Sequence, residues 1–134
     1  MLDAAKPALN RPSSPSWLHH PVNWLLLGVA AYPFLWLNAF ALLVLRARFM
    51  VGAWPTYGRP DPKDLGMGVH YSFVMFGLVL LVSLGISGFI GALFARHRTR
   101  EVPRWLVILT GLTPLITICL LRLDPGGFMN WLMD

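Results

Sequence analysis

Charged residues are absent from three long stretches of this chain, residues 22–45, 69–95 and 105–121, which together make up about half of its 134 residues. Only 13% of the whole sequence is charged and 56% is hydrophobic, with a mean hydropathy of +0.59, whereas roughly a quarter of an ordinary soluble domain is charged. As helices rising ~1.5 Å per residue, the stretches would reach roughly 36, 40 and 26 Å, enough to cross or nearly cross a ~30 Å hydrocarbon layer. The expected fold class is therefore all-α: a polytopic membrane protein with three transmembrane helices and no soluble domain. What remains outside the stretches is too short to build an independent core, which excludes a soluble catalytic or nucleotide-binding domain.

Cysteine is nearly missing. Cys119 stands alone, so no internal disulfide forms, and within an apolar stretch it reads as a small buried residue. Chemical constellations are missing too. Asp61 and Asp64 are a nearby acidic pair, but they lie in a short basic loop without the pocket that paired-carboxylate catalysis needs. His70 opens the second stretch and His97 follows its end, so they cannot share a metal or haem within one chain. His19, His20 and His97 fall at one end without a Cys or carboxylate to complete a metal set. No Gly-rich phosphate loop or nucleophile elbow occurs. The expectation is no enzyme, no cofactor and no metal.

The chain divides into a Pro-rich N-terminal tail (1–21), a first span (22–45), a loop (46–68), a second span (69–95), a basic loop (96–104), a third span (105–121) and a C-terminal tail (122–134). The first span is longer than the ~7–15-residue core of a signal peptide and ends in Arg46 and Arg48 without a small-residue cleavage site, so it reads as a retained helix. It contains Pro33, which should bend it, and Asn38, whose amide is costly in lipid and is expected to face another helix.

Small residues mark the second span. Ser83, Ser87, Gly91 and Ala95 recur every four residues, with Gly88 and Ala92 beside them, and Gly77 and Gly85 add to the smoothness. Together with Asn38 they form the expected helix-packing set, since small side chains let helices approach closely where no hydrophobic force acts between them. The groove could be filled by the first or third span or by a neighbouring subunit. In the third span Thr110, Gly111, Thr113, Pro114 and Thr117 predict a kinked helix whose hydroxyls bond backbone carbonyls, including the one Pro114 leaves free. Beyond it, residues 124–127 form a turn, and Phe128, Met129, Trp131, Leu132 and Met133 form an apolar patch suited to an interfacial anchor or a contact with another subunit.

The residue types of the 46–68 loop favour partner contact. Trp54, Tyr57 and Arg59 are common interface anchors, Asp61 and Lys63 supply charge, and three prolines lower the entropy lost on ordering. Plain loop geometry is the alternative, with aromatics at the lipid boundary and Asp61 or Asp64 capping a short helix that leads into the second span. Arg96, Arg98, Arg100, Arg104 and Arg122 flank the spans, so the net charge of +5 points to anionic lipid headgroups rather than nucleic acid. Lys and Arg number six on the N-terminal side and five on the other. The compact cluster at 96–100 favours a cytoplasmic N-terminus.

Two function classes follow. The first is an accessory, assembly or stabilising subunit of a larger membrane complex, with lipids and other membrane subunits as partners. The alternative is a self-associating pore or membrane effector; an intramembrane enzyme acting on lipid would need His70 or Asp64 for turnover.

Overall fold

A computed structural model describes residues 20–56, 61, 64–124 and 126–133. Every regular element among them is a helix: α1 (Pro21–Val51), α2 (Gly68–Thr99), α3 (Arg104–Leu123) and the short α4 (Phe128–Met133). The first three are each long and apolar enough to cross a membrane.

The helices overrun the uncharged stretches, because apolarity and helicity end for different reasons. Pro21 starts α1 with its φ already set. The helix runs through Pro33 and past Arg46 and Arg48 until Gly52 turns left-handed at φ 77 and donates its N–H to Arg48 O at 2.8 Å. Arg100 closes α2 in the same way at φ 55, its N–H reaching Arg96 O at 3.0 Å. At its other end α2 starts behind Met67 without a side-chain cap, and among the described residues a turn at 64–66 stands where the short helix was expected. In that turn Asp64 N–H donates to Asp61 O at 3.1 Å, and Gly66 lies at φ 68.

Each of α1, α2 and α3 packs on both others. Two apolar clusters mark the ends of the bundle. Leu26, Ala92, Val102, Leu106 and Val107 gather where α2 hands over to α3. Trp36, Leu43, Val44, Ala47, Met67, Val74 and Leu81 form the other cluster, and Trp131 and Leu132 of α4 belong to it. The apolar C-terminal patch thus folds back on its own chain: both residues are buried, while Met133 is exposed. Asp124 fixes this return by accepting the N–H groups of Met129 and Asn130 at 3.0 and 3.3 Å.

Candidate functional site

Three side chains on the α1–α2 seam reach across to the backbone of the other helix. Tyr32 donates its hydroxyl to Gly77 O at 3.0 Å, Trp36 donates Nε1–H to Val74 O at 2.8 Å, and His70 Nε2 lies 3.0 Å from Ala39 O. Because a carbonyl only accepts, the last bond requires the His70 proton on Nε2. Glycine makes the seam possible. A Cβ at Gly77 would sit 2.6 Å from Trp36 Cδ1. Sequence reasoning missed Tyr32 and Trp36, because a polar-tipped aromatic in a span does not show which neighbour it faces.

The small-residue set of α2 separates into two faces. Gly88 and Ala92 face inward, where a Cβ at Gly88 would lie 2.6 Å from Val29 Cγ1 and 3.3 Å from Thr110 Cγ2. Ala95 is half-buried against the Leu26–Leu106 cluster. Ser83, Ser87 and Gly91 are exposed, and a Cβ at Gly91 would meet nothing within 4 Å. The two serine hydroxyls turn back onto their own helix, to Val79 O at 2.9 Å and Ser83 O at 2.7 Å. Asn38 is exposed as well, donating Nδ2–H to Phe34 O at 2.7 Å within α1, so within this chain it faces no other helix. The threonines Thr110, Thr113 and Thr117 are buried and donate to Leu106, Leu109 and Thr113 carbonyls, rather than to the Thr110 carbonyl beside Pro114. Cys119 is exposed, not buried.

Of the loop set, Tyr57, Arg59 and Lys63 lie outside the described residues. Trp54 is half exposed and has two close partners: the Arg48 guanidinium sits 3.9 Å from its ring centroid, and the tilted Phe128 ring lies 5.6 Å away. Asp61 is half-buried.

Of the five arginines expected at headgroups, three share a site. Arg96, Arg100 and Arg104, with Leu93 and His97, line a depression of about 740 Å³ at the α2–α3 turn. Arg96 is held there by an Nη1 bond to Val102 O at 2.7 Å. Arg98 does not line it, and Arg122 belongs to the other end of the bundle. Glu101 is drawn away toward α1, its carboxylate 3.0 Å from His20 Nε2. Next to the basic depression, an apolar groove of about 690 Å³ runs between α2 and α3. His19 lies outside the described residues, and among the described residues no three potential ligands gather as a metal site. No protein family, curated protein or solved structure matches the chain.

Proposed function

We propose that this chain inserts into a membrane with three spans and acts there as a non-catalytic accessory or assembly subunit of a larger membrane complex. The observation that carries this reading is the uncovered small-residue face of α2. Ser83, Ser87 and Gly91 stand exposed between bulky exposed neighbours, Ile86, Ile90 and Phe94. Lipid chains gain nothing from a flat strip, whereas a partner helix can approach it closely and gain dispersion contact along its length. Asn38 adds an exposed amide on α1 that is used only within its own helix. In hydrocarbon such a group favours association with a partner that offers an acceptor or donor. The N-terminus and the 96–104 loop are assigned to the cytoplasmic side by the compact basic cluster.

The test is purification of the tagged protein from its own membrane in mild detergent, with measurement of complex mass and identification of co-purifying chains. A stable hetero-complex is expected. Gly91→Leu should weaken it roughly tenfold, equivalent to ~1.4 kcal/mol. Because a Cβ at Gly91 meets nothing within 4 Å, that variant leaves the bundle itself intact. A homo-oligomer alone would move the reading to a self-associating pore or effector, and a monomer without companions would overturn both.

A further inference from the structure

We propose that the α2–α3 hairpin holds an anionic glycerophospholipid, with its phosphate in the basic depression and an acyl chain in the adjoining groove. The inference rests on membrane insertion but needs no partner protein. The two recesses follow one another along the same helix faces. On α2 the groove is lined by Val82, Ile86, Phe89 and Ile90, and the depression continues the row with Leu93, Arg96, His97 and Arg100. On α3, Leu115, Leu112 and Ile108 lead up to Arg104. Apart from the adjacent pairs 89–90 and 96–97, the spacings of three and four residues keep each row on one side of its helix.

Size and charge both suit such a lipid. From Val82 to Ile90 the groove covers about 12 Å at ~1.5 Å per residue, close to the depth of one leaflet of a ~30 Å layer. Glycines close its floor by letting the two helices approach: Gly85 lies against Pro114 and Gly111 against Phe89, where added Cβ atoms would come within 2.8 and 2.7 Å. The mouth carries three guanidinium groups, and the loop's acid, Glu101, is engaged with His20. Arg100 occupies a left-handed position, φ 55, where glycine is the usual helix-ending residue. That choice keeps a cation at the rim at the cost of backbone strain. A zwitterionic lipid would bring its own cation to this site and meet repulsion, so the complementary headgroup bears net negative charge.

The full-length protein, exchanged into detergent, is incubated with phosphatidylglycerol or with phosphatidylcholine of identical acyl chains, and retained lipid is read by native mass spectrometry. Preferential retention of phosphatidylglycerol is expected; equal retention would overturn the proposal. Arg100→Gln with Arg104→Gln should lower phosphatidylglycerol retention roughly fivefold per charge removed, while the double lysine variant and Arg122→Gln at the other end should retain it. A roughly fivefold loss for Arg122→Gln, equal per charge to that of the double glutamine variant, would reduce the effect to net charge and overturn the site. Ile108→Trp, which fills the groove from an exposed position, should also lower retention. Glycerol phosphate, the same headgroup chemistry without a tail, should not displace the lipid; if it competes equally, the depression takes a soluble phosphate and the groove assignment fails. Circular dichroism on each variant separates loss of binding from loss of fold.

Discussion

At the scale of single residues, the α1–α2 seam depends more on space than on hydrogen bonding. Gly77→Val would place a branched side chain where a Cβ alone comes within 2.6 Å of Trp36 and 3.1 Å of the Tyr32 hydroxyl, displacing both donors. Overpacking of this kind costs about 1–3 kcal/mol. Tyr32→Phe removes only the bond to Gly77 O, and such interhelical bonds in membranes average ~0.6 kcal/mol. Thermal unfolding in detergent should therefore show a clear fall in Tm for Gly77→Val and a small one for Tyr32→Phe; the reverse order would mean that the hydrogen bond, not the close approach, holds the seam. None of this was readable from the spans as spans. Apolar runs announce helices, but Tyr32 and Trp36 look like ordinary lipid-facing aromatics until their register against Gly77 and Val74 is known. Asn38 misled in the opposite direction: a mid-span amide is expected to seek another helix, yet Phe34 O, one turn away, accepts its proton without one.

At the scale of elements, the three long helices were legible because their uncharged stretches leave few alternatives, whereas faces and ends were not. Ser83, Ser87, Gly91 and Ala95 repeat every four residues, and at 3.6 residues per turn each step drifts ~40° around the helix. The row therefore begins on the outside at Ser83 and ends half-buried at Ala95. Alternating steps of three and four, through Leu81, Gly85, Gly88, Ala92 and Ala95, stay on the packed side. The sequence shows small residues in both rows and does not say which row the bundle fills. α4 was the other hidden element. Its Trp131 is 1% exposed within the cluster of Leu43, Val44 and Met67, so Trp131→Ala should destabilise the bundle by about 3–5 kcal/mol. Scanning calorimetry or detergent-induced unfolding would measure this; an unchanged transition would show α4 to be a peripheral tail.

At the scale of the whole molecule, contacts settle which ends go together. The His20–Glu101 pair joins the start of α1 to the α2–α3 turn, and the Trp54–Phe128 contact joins the 46–68 loop to α4. The proposed sidedness predicts labelling. In a Cys119→Ser background, a membrane-impermeant maleimide applied to intact cells should label Ala53→Cys and spare Thr99→Cys, both at exposed positions; the opposite pattern would invert the topology. The two ends also differ in construction. At the α2–α3 turn the three helices finish nearly flush, but at the other end the 31-residue α1 outruns the 20-residue α3, by about 16 Å at ~1.5 Å per residue. On that overhang Arg46 and Arg48 are followed by exposed Phe49 and Met50, and exposed Trp54 lies just past its end against Arg48, so apolar and charged groups alternate along it. In the proposed membrane-inserted state, a bilayer a few ångströms thicker or thinner would be met unequally: the leaflet at the arginine-lined turn would be gripped at a fixed depth, while the opposite leaflet could ride up or down the overhang at a cost of fractions of a kcal/mol per ångström.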